Sequence, residues 1–191
     1  MKTPEEFVIS AVRASGADVK NALPLVQALD KLGMPLYGMQ TPNGYSWMAE
    51  TWVNSADLVN RMNFALGLSS DRIPGVFTDW GHVLGQTGSG MEPVALTSGS
   101  TEEAAAKEQK LEMALLGQKV SDRTRSTVLL QFQDQGLQEQ AVKNFSIRAN
   151  DFEPMAQLLN GGPRQQARPP LDREAATMAG LLLGSPEFQR R

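Results

Sequence analysis

The side chains best suited to binding a ligand are four large aromatic residues and an arginine, Tyr37, Tyr45, Trp47, Trp52 and Arg61. Flat rings with a polar edge can stack on sugar rings or on the side chains of a peptide. The planar guanidinium of an arginine can hold a carboxylate or a phosphate through two parallel hydrogen bonds. These five residues are therefore the candidate ligand-binding residues of the chain.

The same residues also have a structural interpretation. Residues 34–53 are rich in Pro and Gly, and an irregular segment without backbone pairing needs side chains to anchor it. Aromatic rings that pack onto the neighbouring helices would supply such anchors. Arg61 follows Asp57 by one helical turn, so it can pair with Asp57 on the surface or donate to backbone carbonyls of the preceding loop. The sequence leaves both interpretations open.

No residue set in the sequence has the pattern of a catalytic or metal-binding site. His82 is the only histidine, and without a second ligand-type residue at helical spacing it is predicted to be an ordinary surface or packing residue. The absence of cysteine excludes disulfides, thiolate ligands and a cysteine nucleophile. The run GQTGSG lacks the features of a phosphate loop and of a serine nucleophile elbow. We predict no catalytic residue, no metal and no cofactor.

Composition excludes several classes of protein. A chain of 191 residues with 41% hydrophobic and 20% charged residues is typical of one globular domain. The net charge of −3 argues against nucleic acid as a partner, because phosphate contacts need clustered Lys and Arg. No apolar run approaches the length of about 18 residues that a membrane span requires. The residues after Met1 lack the basic-then-apolar pattern of a signal peptide.

Residues 3–68 are predicted to contain three helices and the aromatic segment. Thr3 and Glu6 form the pattern of a capping box, which marks the start of the first helix. Gly33 and Gly67 are predicted to end the second and third helices, because glycine readily adopts the left-handed conformation that often follows a helix.

Residues 69–100 are rich in Gly, Ser, Thr and Pro and are predicted to form a long flexible loop. Residues 101–191 return to helical periodicity and form the C-terminal helical part. No segment alternates between polar and β-branched residues as a strand would. The predicted fold is an all-α, irregular bundle of about six to eight helices, one domain in all, with one ordered aromatic loop.

Four runs of sequence resemble a known family. The run GMPLYGMQTPNGY at 33–45, followed by TWVNSADLVNRMNFA at 51–65, is similar to the C-terminal signature of the bacterial DUF1800 family of unknown function. The opening TPEEFVISAVRA and the ending LLLGSPEFQRR resemble the corresponding parts of that family. The resemblance covers residues 3–68 and roughly 110–190, and Met39 stands where relatives often have cysteine.

The resemblance implies that the chain is the C-terminal fragment of a larger bacterial protein with a helical region before it. Family members commonly carry export signals, so the resemblance also implies an extracytoplasmic parent. A fragment of this kind should expose an apolar surface where its missing N-terminal region, or another protein, docks. A homodimer through that surface is a further expectation.

Two classes of function follow. The first is a non-catalytic interaction or structural module of the larger exported protein. The alternative is the accessory C-terminal half of an enzyme, for example a hydrolase, whose catalytic residues lie mainly in the missing region. A deep pocket lined by Trp47, Trp52 and Arg61 would favour the enzyme.

Overall fold

The computed structural model describes residues 1–85, 101–133 and 172–190. These residues contain eight α-helices, one short 3₁₀ helix and a two-stranded sheet, which confirms the predicted all-α bundle of six to eight helices. In chain order the elements are α1 (Pro4–Ala14), β1 (Asp18–Val19), α2 (Leu23–Lys31), the 3₁₀ helix η1 (Ala49–Trp52), α3 (Ser55–Ser69), β2 (Val76–Phe77), α4 (Trp80–Val83), α5 (Thr101–Leu116), α6 (Asp122–Gln133), α7 (Arg173–Leu183) and α8 (Pro186–Gln189).

The predicted capping box at the start of α1 is confirmed. The Thr3 hydroxyl accepts a hydrogen bond from the backbone N–H of Glu6 at 3.3 Å, and the Glu6 carboxylate accepts one from the N–H of Thr3 at 2.8 Å. The ring of Phe7 on the next turn lies edge-on to Phe64 of α3 at 5.9 Å and to Phe188 of α8 at 6.1 Å. The cap therefore fixes where the first helix begins, and Phe7 fixes which face it buries.

The core is built around α3 and α7, which pack closely along their length. Gly180 lies at this contact, where an added Cβ would sit 2.6 Å from the Ser69 hydroxyl oxygen and 2.8 Å from Cδ2 of Leu66. The two backbones can approach this closely because the glycine has no side chain. Buried residues such as Phe64 and Met178 fill the rest of the interface.

The predicted end of the third helix at Gly67 is wrong, because α3 continues to Ser69. Asp71 takes the place expected for a glycine, with a backbone φ of 54°. The N–H of Arg72 donates to the carbonyl of Gly67 and the N–H of Asp71 donates to that of Leu68, which is the bonding pattern of a Schellman motif. Aspartate tolerates the left-handed conformation better than most residues. The helix therefore ends without a glycine at that position.

A small antiparallel sheet was not predicted. Asp18 pairs with Phe77 and Val19 with Val76, and two residues a strand are too few to show an alternating pattern. β2 and α4 lie within residues 69–85, the first part of the predicted flexible loop, while residues 86–100 lie outside the described part of the chain. The buried indole of Trp80 holds this part against α3 by donating to the Ser69 carbonyl at 2.8 Å.

The division into residues 3–68, 69–100 and 101–191 stays a prediction. Among the described helices, none is both long enough and apolar enough to cross a membrane.

Candidate functional site

Two of the four candidate aromatic residues hold the irregular segment together. The hydroxyl of Tyr45 donates to the carbonyl of Pro35 at 2.7 Å, and the indole N–H of Trp52 donates to the carbonyl of Ser46 at 2.8 Å. The two rings lie 6.0 Å apart, and Trp52 is buried. Tyr45 and Trp52 therefore have the structural role that the sequence left open.

The turn after Pro35 is shaped by Gly38. A Cβ at this position would lie 2.5 Å from Cγ of Pro35 and 3.1 Å from the Tyr45 hydroxyl oxygen. Only a residue without a side chain leaves room for the hydrogen bond between Tyr45 and Pro35. Pro35 and Gly38 thus allow the hydrogen bond that closes the loop.

The other two aromatic residues point outward. The side chain of Tyr37 is 95% exposed and that of Trp47 is 76% exposed. Tyr37 also has a left-handed backbone, with φ of 59°, which costs a residue with a Cβ roughly 1–2 kcal/mol. A bulky ring in this conformation, directed into solvent, is unusual for a residue that serves folding alone.

Most of the exposed large apolar side chains lie near these two residues in the sequence. In the described residues twelve large apolar side chains are exposed, and eight of them lie between residues 36 and 59. We call these eight the apolar surface 36–59. They are Leu36, Tyr37, Met39, Trp47, Met48, Val53, Leu58 and Val59.

A groove of about 520 Å³ runs between α1 and the aromatic segment, at the edge of this surface. Its lining combines apolar, neutral polar and acidic residues and includes no lysine, arginine or histidine. Glu5, Glu6 and Ile9 come from α1, and Met34, Tyr45 and Trp47 come from the other side. Two glutamates from the N-terminal turn of α1 thus line the same groove as Trp47, and the carboxylate of one of them, Glu6, is held by the capping box.

Arg61 does not belong to this groove. Its guanidinium is buried, donates from Nη1 to the carbonyl of Lys2 at 3.0 Å, and lies 5.3 Å from the centre of the Phe7 ring. The predicted surface pair with Asp57 and the predicted bonds to the preceding loop are both wrong, because Arg61 is buried, no ion pair joins it to Asp57, and its other two guanidinium nitrogens have no hydrogen-bond partner among the described residues. Arg61 instead ties α3 to the residues before α1.

Burial lowers the pKa of Arg61, and the nearby charge of Asp57 only partly opposes this shift. The Nε and Nη2 atoms of Arg61 have no hydrogen-bond partner among the described residues. The side chain thus contributes to the contact between α3 and the N-terminal residues, with Phe7 beneath its planar group.

The structure therefore separates the five candidate residues into groups. Tyr45 and Trp47 line the groove, Tyr37 is exposed, and Trp52 and Arg61 are buried outside the groove lining. The groove is not the pocket of Trp47, Trp52 and Arg61 that would favour an enzyme. Binding of a ligand by these residues stays a prediction.

His82 lies on the exposed side of α4, where its backbone N–H donates to the Asp79 carboxylate at 3.1 Å. In residues 1–85, 101–133 and 172–190, no group of three or more His, Cys, Asp or Glu side chains is arranged to hold a metal ion.

Sequence reasoning missed a buried charge cluster between α5 and α6. Glu108 and Glu112 of α5 are fully buried, and Arg125 of α6 reaches both. Burial raises the pKa of Glu108 to about 7, the neighbouring carboxylate of Glu112 adds to the rise, and the charge of Arg125 opposes it. The sequence contained a signal for this burial, because both glutamates share a helix face with Leu111 and Leu115, which are buried.

Comparison with known proteins gave one match. The model of a family described as a protein of unknown function (DUF1800) matches residues 1–190. No curated protein and no solved structure matches the chain.

Proposed function

We propose that this chain, which belongs to the DUF1800 family of proteins of unknown function, is a non-catalytic interaction module that binds another polypeptide through the apolar surface 36–59. One observation carries the proposal: eight of the twelve exposed large apolar side chains of the described residues lie in this one stretch. Scattered exposed apolar residues are normal on a protein surface, but a concentration of them is typical of a protein contact.

The loop that carries this surface is fixed by its own contacts. Tyr45 and Trp52 close it from within through hydrogen bonds to Pro35 and Ser46. A surface already held in one conformation loses less entropy when a partner binds. Tyrosine and tryptophan are also the residue types enriched at the energetic centres of protein interfaces. The exposed rings of Tyr37 and Trp47 are therefore the proposed centre of the contact.

The sequence resemblance supports a finer part of the proposal. We infer that the chain is the C-terminal part of a larger bacterial protein that is exported to an extracytoplasmic compartment. In that protein the N-terminal helical region would cover the apolar surface 36–59. In the isolated chain the same surface would bind a second copy, which gives a homodimer.

The alternative function, the accessory half of an enzyme, has no supporting observation in the described residues. It would be favoured by one cleft that Trp47, Trp52 and Arg61 line together. Trp47 lines the groove beside α1, whereas Trp52 and Arg61 are both buried away from that lining.

The test is the association state of the chain and of three charge variants. Light scattering over a wide range of concentration should show self-association of the chain. Met48→Glu and Val59→Glu, at two points of the apolar surface 36–59, should shift the chain to monomer, because a buried unpaired carboxylate opposes the contact. Met113→Glu, at another exposed methionine, which lies on α5, should leave the association unchanged.

Circular dichroism of each variant checks that the helical fold is retained. A chain that stays monomeric at the highest concentration, with all three variants behaving alike, would contradict the proposed contact.

A further inference from the structure

We propose that Met39 and Met48 form an oxidation site, and that conversion of their thioethers to sulfoxides releases the partner from the apolar surface 36–59. This inference rests on the proposed function, because it names a chemical change that regulates the proposed contact. Three features carry it: the exposure of the two side chains, their place in the surface and the chemistry of the thioether.

The two methionines are open to a dissolved oxidant, in contrast to the methionine of the core. Met48 is 70% exposed and Met39 is 43% exposed, whereas Met178 is fully buried. Met34 and Met62 are only partly exposed. The sequence contains nine methionines and no cysteine, so its oxidisable sulfur groups are all thioethers. Because susceptibility to oxidation follows exposure, a mild oxidant should reach Met39 and Met48 well before Met178.

The oxidant in this step is a peroxide, and hydrogen peroxide is its simplest member. A lone pair of the thioether sulfur attacks one peroxide oxygen, an S–O bond forms and the O–O bond breaks. The proton on the transferred oxygen passes to the hydroxide that leaves, which becomes water. The sulfur is oxidised by two electrons and the peroxide is reduced by two. A polar, chiral sulfoxide replaces a flexible apolar side chain.

A sulfoxide within the proposed contact opposes association. Its oxygen is a hydrogen-bond acceptor that water satisfies on the free surface, whereas an apolar contact provides no donor. Met39 and Met48 are two of the eight side chains of the apolar surface 36–59. Each sulfoxide that is buried without a hydrogen bond should therefore weaken the contact on the order of tenfold.

Association and oxidation are then coupled in both directions. Oxidation shifts the chain towards monomer, and association covers Met39 and Met48 and so slows their oxidation. Met113 is 52% exposed on α5, outside the apolar surface 36–59. It serves as an internal reference, because its oxidation should neither weaken the association nor be slowed by it.

The first measurement is peptide mapping by mass spectrometry after a short treatment with dilute hydrogen peroxide. Met39, Met48 and Met113 should carry a sulfoxide before Met62 and Met178 do. In a concentrated, associated sample the first two should be oxidised more slowly than in a dilute one. Met113 should be oxidised at the same rate in both.

The second measurement is light scattering of the oxidised chain, with a second copy as the partner. The oxidised chain should shift to monomer, and methionine sulfoxide reductases, one for each sulfoxide epimer, should restore the association. Circular dichroism should show the same helical fold before and after oxidation.

Leucine variants locate the effect, because leucine is apolar, close to methionine in volume and has no thioether. The double variant Met39→Leu with Met48→Leu should associate as the unaltered chain does and should keep its association after peroxide treatment. Met113→Leu is the matched control, and peroxide should still shift it to monomer.

An oxidised chain that associates as strongly as before would overturn the inference. Equal protection by Met113→Leu, or oxidation of Met39 and Met48 no faster than that of Met178, would also overturn it. A chain that does not associate before any oxidant is added contradicts the proposed function, and the inference falls with it. That result is seen in the untreated sample, so the two failures can be told apart.

Discussion

The guanidinium of Arg125 holds the buried carboxylate of Glu112 from two nitrogens, with Nη2 at 2.7 Å from one oxygen and Nε at 3.2 Å from the other. The same Nε lies 3.3 Å from Glu108, so one cation serves two fully buried carboxylates. This cluster joins α5 to α6.

Removal of the cation should strongly destabilise the fold. Arg125→Ala would leave Glu108 and Glu112 buried without a counter-ion, and the loss of one partner of a buried pair costs about 3–5 kcal/mol. The Arg125 side chain is 29% exposed, so we expect a loss near the lower end of this range. Urea denaturation followed by circular dichroism would measure it. Arg123→Ala, an exposed arginine on the same helix, should change the free energy of unfolding by less than about 0.5 kcal/mol.

The cluster should also make stability depend on pH. Burial, together with Glu112, raises the pKa of Glu108 to about 7, whereas in the unfolded chain this pKa is about 4.3. Between these values the folded state holds a proton that the unfolded state has lost. The free energy of unfolding should therefore fall as the pH rises from about 4.5 to about 7, by on the order of 3–4 kcal/mol, and then level off.

Glu108→Gln tests the origin of this pH dependence, because glutamine cannot titrate and is nearly the same size. The variant should lose most of the fall between pH 4.5 and 7. Glu112 and Arg125 are the charged groups that act on Glu108, and both are kept in this variant. Glu103→Gln on the exposed side of the same helix should keep the fall. If both variants retained it, Glu108 would not be its source.

The helix ends show how far local sequence determines the fold. Gly33 ends α2 as predicted, with its N–H donating to Asp30 and that of Met34 donating to Leu29. The end of α3 has the same bonding pattern with Asp71 in the left-handed position. Gly67, which looked like a stop, lies inside the helix and is buried. Which residue ends a helix depends on its packing, and packing is not visible in local sequence.

The sequence predicted which segment forms the candidate site, but not which of its aromatic side chains are exposed. Composition alone marked residues 34–53 as a loop with aromatic anchors. It could not tell that Tyr45 and Trp52 turn inward while Trp47 turns outward, because an irregular loop has no period that assigns a face. Glu5 escaped notice for a different reason, since a glutamate in the first turn of a helix already has a local explanation.

The close contact between α3 and α7 should not tolerate a larger residue at Gly180. In Gly180→Ala the new Cβ would lie 2.8 Å from Cδ2 of Leu66 and 3.1 Å from its Cα, so the helix backbones would have to separate. Alanine improves helix propensity by up to about 1 kcal/mol, but crowding in a packed core costs about 1–3 kcal/mol. We expect a net loss of about 1–2 kcal/mol in urea denaturation.

Arg173→Ala is the control for this prediction, because Arg173 is an exposed residue of the same helix. It should change the free energy of unfolding by less than about 0.5 kcal/mol. A Gly180→Ala variant as stable as the unaltered chain would show that α3 and α7 can shift apart without loss.

Tyr37 should have opposite effects on stability and on association. Its left-handed backbone should lower the free energy of unfolding, whereas its exposed ring should strengthen self-association. Asparagine tolerates a φ near 59° better than tyrosine, and a 95% exposed ring contributes little to the core. Tyr37→Asn should therefore stabilise the isolated chain by up to about 1 kcal/mol, which raises the melting temperature by about 2–4 °C. The same variant should weaken self-association, because it removes a central ring of the apolar surface 36–59.

Met39→Asn separates the two effects, since Met39 is also exposed but has no left-handed backbone. It should weaken association without raising the melting temperature. A Tyr37→Asn chain that associates as strongly as before would mean that the strained residue has no part in the contact.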